Sequence, residues 1–164
     1  LSESIEKPEV KDEVIVDQKL YHTIYELKNG LGPAPLKTEE GWLHLAHGVR
    51  NTASGLRYTL YVFLTDLEKP WIVTHKPPGH LIAPLGKERT GDVSNVVFSN
   101  GWILDEDGTV FIYYASSDTR MHVAKTSLNQ LVDHCLHAPS DRFYSHLSVD
   151  SLNRLIDRNR DFYE

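Results

Sequence analysis

Residues 36–47, LKTEEGWLHLAH, return in altered form at residues 103–114 as ILDEDGTVFIYY. The two stretches lie 67 positions apart, and their acidic turns, Glu39–Glu40–Gly41 and Glu106–Asp107–Gly108, fall in register. In each, a polar turn ending in glycine leads into an aromatic and aliphatic run, the pattern of a strand that begins at a tight turn. Two copies of a strand–turn–strand–loop–strand unit predict a repeat architecture. A β-propeller blade is the commonest unit of this size made only of antiparallel strands. Two blades cannot close a ring, so the sequence is expected to be part of something longer. Its first residue, Leu1 rather than Met, is read in the same way, as the start of a processed or excised piece.

The rest of the chain is organised around those copies. Residues 1–13 are charged and read as a surface lead-in, and residues 14–16 and 21–27 are short β-prone runs. Residues 28–33, KNGLGP, make a turn-rich break, after which Pro33 and Pro35 confine the backbone to extended shapes. A strand over 42–49 is followed by a six-residue polar link at 50–55. The strand over 56–65 then places Leu56, Tyr58, Leu60 and Val62 on one face. Residues 91–101, GDVSNVVFSNG, predict a buried strand at 96–98 that Asn100–Gly101 closes. Asp92 and Asn95 stand at its start and need partners, either neighbouring backbone or a ligand.

From Ser127 onward the pattern changes. Ser127 and Gln130 fit a capping box, and Leu128, Leu131, Val132, Cys135 and Leu136 share one helical face that Ala138–Pro139 terminates. Leu152, Leu155 and Ile156 mark a second amphipathic helix. The expected division is therefore an all-β part over 1–126 and a helical extension over 127–164, packed on the strands or on a neighbouring subunit.

Composition removes several classes of function. With 17 Lys and Arg against 23 Asp and Glu, the net charge of −6 argues against nucleic acid and anionic membranes as partners. A single cysteine, Cys135, rules out a disulfide framework within these residues and suits a reducing, cytoplasmic setting. No apolar stretch is long enough to span a bilayer as a helix.

Nine histidines raise the question of a metal, but His44 and His47 are three apart on a strand and point to opposite faces. There is no HExxH helix and no nucleophile-elbow serine, so neither a protein-bound metal nor a hydrolase triad is expected. Lys28, beside a glycine-rich turn, and His47, before Gly48, sit where strands meet loops and can bind an oxyanion. The competing reading is a solvated lysine and a satisfied histidine.

Four motifs, KNGLGPAPLKTEEGWLHLAHGV (28–49), GLRYTLYVFLTDLEKP (55–70), GDVSNVVFSNG (91–101) and YYASSDTRMHVA (113–124), occur in this order. Together they resemble the C-terminal blades of glycoside hydrolase family 130, the β-mannoside phosphorylases. LAHGVRN (45–51) and SSDTRMHVA (116–124) are similar to the subgroup acting on 4-O-β-mannosyl-glucose. The resemblance implies a partial five-bladed β-propeller, here two to three C-terminal blades, with a funnel-shaped site. It also implies an inverting phosphorolysis in which inorganic phosphate, a co-substrate with no further cofactor, attacks the anomeric carbon and releases mannose 1-phosphate. Lys28 and His47, nineteen positions apart, match the phosphate-binding lysine and histidine of the family, and Tyr58 matches a tyrosine near the phosphate. Asp92, with Asn95 beside it, matches the aspartate that holds the mannosyl hydroxyls.

Asp118 matches a family aspartate, with tying down a hairpin loop as its alternative role. Arg120 and His122 mark the subgroup and are candidates to touch the acceptor glucose. The family's general acid and phosphate-binding arginines belong to N-terminal blades outside these 164 residues. The chain alone is thus expected to be inactive, its partners being those blades, an oligosaccharide, phosphate and further copies of itself. A β-mannoside hydrolase of the same fold and a non-catalytic carbohydrate-binding propeller are the alternatives.

Overall fold

The computed structural model describes residues 5–6, 8–9, 12–14, 16, 28–138, 154 and 156–157. Between residues 28 and 138, eight strands and one helix follow one another: β1 (Lys28–Leu31), β2 (Leu36–Lys37), β3 (Trp42–Thr52), β4 (Gly55–Thr65), β5 (Val73–His75), β6 (Val97–Leu104), β7 (Thr109–Ser116), β8 (Arg120–Ser127) and α1 (Leu128–His137). All pairings are antiparallel and form two sheets, β1–β3–β4–β5 with β2 also on β3, and β6–β7–β8.

β1 and β2 pair with successive stretches of the same edge of β3, so they amount to one strand interrupted at Pro33–Pro35. Proline has no N–H to give a ladder, which is why the interruption falls there. Gly32 keeps the register across the break by donating its N–H to the Leu45 carbonyl at 2.9 Å.

The two acidic turns found in the sequence occupy equivalent places. One joins β2 to β3, where Lys37 pairs with Trp42, and the other joins β6 to β7, where Leu104 pairs with Val110. Alternation then sets the core. Leu43 and Leu45 of β3 and Leu60, Val62 and Leu64 of β4 point to one side, where they meet Val97, Trp102, Val110 and Ile112 of the second sheet. The Trp102 indole also reaches across to the Ala34 carbonyl at 2.8 Å. Helix α1 closes the core with Leu131 and Cys135, and its Ser127–Gln130 capping box is formed as the sequence predicts.

Three local expectations are corrected. The link at 50–55 is no loop, because β3 runs on to Thr52 and turns directly into Gly55 as a tight hairpin. Asn100–Gly101 does not end the strand that starts near Val97. The register slips between Ser99 and Gly101 and β6 continues to Leu104, so these residues are a bulge that absorbs the polar interruption. Val14 and Val16 are not in strand, and the run at 21–27 lies outside the described residues. Of the second predicted helix, Arg154, Ile156 and Asp157 are helical, while Leu152 and Leu155 lie outside the described residues.

Candidate active site

The register of the first sheet aligns three of the sequence-predicted residues. Lys28 of β1 stands opposite Val49 of β3, and Val49 stands opposite Tyr58 of β4. His47, two positions before Val49, shares that face and lies diagonal to both Lys28 and Tyr58. Diagonal neighbours in a sheet are about 7–8 Å apart. The His47 ring stacks against Tyr58, with centroids 6.1 Å apart and planes 20° from parallel, and against Phe98 of β6 at 4.8 Å. Lys28 is exposed. His44, as the alternation demands, faces the other way: it stacks on Phe63 at 4.7 Å and its Nε2 meets Thr65 Oγ1 at 2.9 Å.

His47 is not a satisfied core histidine. Its Nδ1 is buried and makes no hydrogen bond among the described residues. Burial pushes its pKa below the ordinary 6.5, so at neutral pH the ring is uncharged and carries one N–H. The sequence reading gives Lys28 and His47 as a pair able to bind an oxyanion. In the structure the fixed charge is on Lys28, and His47 is a neutral donor.

The loop that carries Asp92 joins this group through backbone. The free edge of β4 is covered piece by piece: β5 pairs near Leu64 and Thr65, Leu81 and Ile82 bond to Leu60, and Tyr58 donates its N–H to the Asn95 carbonyl at 3.0 Å. Residues 92–95 therefore lie at the Tyr58 end of β4, beside the β6 start that brings Phe98 to His47. Asn95 adopts a left-handed backbone (φ 62°), which asparagine tolerates better than most residues. Its Oδ1 accepts from Arg89 Nε at 3.2 Å and its N–H goes to the Arg89 carbonyl at 3.1 Å. The carboxamide thus closes its own loop. Asp92 is exposed, and its backbone N–H donates to Thr119 Oγ1 at 3.0 Å.

The remaining candidates, Asp118, Arg120 and His122, sit on the β7–β8 hairpin. Ser117 and Asp118 form its turn with φ of 48° and 50°, and Asp118 is exposed. Arg120 donates from Nη1 to the carbonyls of Lys87 (3.2 Å) and Thr90 (3.0 Å). His122 Nε2 meets Ser116 Oγ at 2.8 Å, and the ring stacks on Tyr114.

Sequence reasoning missed Glu88 and Tyr114. Glu88 Oε1 accepts the Tyr114 hydroxyl at 2.9 Å, and its Oε2 accepts the Leu85 N–H at 3.0 Å. Burial, with the neighbouring carboxylate, raises the Tyr114 phenol to about 12. No signal in the sequence links residues 26 positions apart in this way. Among the described residues, no group of three or more His, Cys, Asp or Glu is arranged to hold a metal ion, and no helix is long and apolar enough to cross a membrane.

Comparison with known proteins places this geometry in context. Residues 5–137 match the profile of a family, glycoside hydrolase 130, described as β-1,4-mannooligosaccharide phosphorylase. Over 159 residues the chain is 60% identical to 4-O-β-D-mannosyl-D-glucose phosphorylase of Bacteroides fragilis, covering 97% of this chain and 41% of that protein. It is 37% identical over 109 residues to β-1,4-mannooligosaccharide phosphorylase of Ruminococcus albus, covering 65% of this chain and 32% of that protein. Among solved structures, β-1,2-mannobiose phosphorylase from Listeria innocua, in complex with β-1,2-mannobiose, superposes with a TM-score of 0.64 at 31% identity. That match covers 72% of this chain and 33% of the other. The chain thus spans about two fifths or less of the length of these relatives.

Proposed function

Because the chain belongs to glycoside hydrolase family 130, we propose that it is the C-terminal share of a phosphorylase that cleaves 4-O-β-mannosyl-glucose with inorganic phosphate. The observation that carries this reading is the convergence of Lys28, His47 and Tyr58 on one face of the first sheet, with the Asp92 loop bonded to the same end of β4. The identity of 60% to the Bacteroides fragilis relative supports the choice of disaccharide.

The chemistry follows from the groups present. A phosphate oxygen forms a bond to the anomeric carbon of the mannosyl unit while the bond to the glucose O4 breaks and that oxygen takes up a proton. The products are mannose 1-phosphate and glucose. An anion approaching an oxocarbenium-like centre needs donors fixed in advance, each worth roughly 3–4 kcal/mol in such a site. The Lys28 ammonium supplies charge, and the His47 N–H and the Tyr58 hydroxyl supply direction. A carboxylate at Asp92 accepts two sugar hydroxyls and so orients the ring. Asn95 sits beside it, and Asp118, Arg120 and His122 border the acceptor side. The group that protonates the leaving oxygen lies outside these residues in this reading, as do the other blades of a five-bladed ring, and no cofactor is called for.

Two features support residues 1–126 as part of a larger propeller, with residues 127–164 as a helical extension. The two sheets pack face to face, as adjacent blades do. The second sheet also turns Ile103, Tyr113, Met121 and Val123 outward, where they are exposed. The enzyme is read as cytoplasmic, in keeping with the single cysteine among these 164 residues.

The test is an assay of the longer enzyme with mannosyl-glucose, with and without phosphate, following mannose 1-phosphate. Phosphate-dependent release supports the reading. Mannose released at the same rate without phosphate would make it a hydrolase and overturn it. A Lys28→Ala variant should lose about 10²-fold in kcat/KM for phosphate and keep its thermal stability, because Lys28 is exposed.

A further inference from the structure

The turn between β7 and β8 is shaped around the loop that carries Asp92. The Thr119 hydroxyl accepts the Asp92 N–H at 3.0 Å and donates to the Ser117 carbonyl at 2.8 Å, so its single proton and one lone pair are both committed. The same Ser117 carbonyl accepts the Val93 N–H at 3.2 Å. Two successive amides of the loop are thereby held by one turn.

The approach is close enough to dictate the neighbouring residue. A Cβ on residue 91 would stand 2.6 Å from the Ser117 carbonyl oxygen and would overlap the Thr119 hydroxyl, so only glycine fits. Ser117 and Asp118 hold the left-handed conformation that brings both acceptors to one side of the turn. The base of the loop is tied as well: Ser117 Oγ donates to the Glu88 carbonyl at 2.6 Å, and Arg120 bonds the Lys87 and Thr90 carbonyls.

We propose that Thr119 is a positioning residue for Asp92, fixing the loop backbone so that the carboxylate is presented in one orientation, and that Arg120 anchors the base of the same loop. This rests on the reading of Asp92 as a sugar-binding group. Thr119 touches neither sugar nor phosphate and acts through Asp92.

The experiment is a double-mutant cycle in the longer enzyme, with mannosyl-glucose and inorganic phosphate as substrates. Thr119→Val keeps the shape and removes both hydrogen bonds. It should lower kcat/KM for the disaccharide about tenfold, a change of about 1.4 kcal/mol, and leave KM for phosphate within twofold. Thr119→Ser should restore the value to within about threefold, and in an Asp92→Asn background Thr119→Val should cost less than twofold. Gly91→Ala, which pushes the loop from the other side, should give the same pattern if the valine variant folds poorly. An equal loss in both backgrounds would mean a general structural effect and would overturn the proposal. So would wild-type kinetics of Thr119→Val beside a crippled Asp92→Asn. If Asp92→Asn is itself as active as wild type, the reading of Asp92 fails first, and the proposal fails with it.

Discussion

The imidazole of His47 on β3 lies across the backbone of Gly30 on β1, in the space that a side chain at position 30 would fill. These residues are direct cross-strand partners, so the missing side chain of one is what admits the ring of the other. The ring is held on its remaining sides by Tyr58 and Phe98.

Gly30→Ala should therefore act on His47 more than on the fold. The added methyl displaces the ring from its place between Gly30 and Phe98, and the donor proposed for phosphate moves with it. We expect KM for phosphate to rise at least about tenfold, with a smaller change in kcat/KM for the disaccharide. Steady-state kinetics at varied phosphate measure this. Unchanged phosphate dependence would remove His47 from the phosphate site.

Acid should weaken the native state through the same ring. Burial holds His44 and His47 below the ordinary 6.5, so the unfolded chain binds more protons than the native one as pH drops past that value. Their contribution to stability is complete above about pH 7 and is lost as pH falls from 6.5 through the folded-state pKa values. Denaturant midpoints between pH 8 and 5 should fall in that window, and a His44→Gln, His47→Gln variant should show a shallower fall.

Cys135 should be inert while the protein is folded. It is buried in the core beside Leu131, and burial raises its thiol to about 12, so almost no thiolate exists at neutral pH. Iodoacetamide at pH 8 should leave it unlabelled over hours and label it within minutes in denaturant. Rapid labelling of the native protein would show that α1 does not stay docked.

Much of the architecture was legible because it is written in local periodicity. Alternation separated His44 from His47, the repeated acidic turns marked equivalent hairpins, and Ser127 with Gln130 announced the start of α1. The failures share a cause. Residues 50–55 and Asn100–Gly101 look like breaks by composition, yet cross-strand pairing carries β3 on to Thr52 and absorbs the second as a bulge. Pairing partners are distant in sequence, and local propensity does not record them.

The same division runs through the candidate site. By itself the sequence determined which residues have the chemistry, a lysine and a histidine near glycines and an acid in GDVSN, and through their motifs which family they belong to. Only the tertiary structure decided their states and supports. It made His47 a neutral donor by burying it, and engaged Arg120 and Thr119 with the Asp92 loop. The physical reason is that burial and hydrogen-bond partners are set by contacts between residues tens of positions apart, and these exist only once the two sheets have packed.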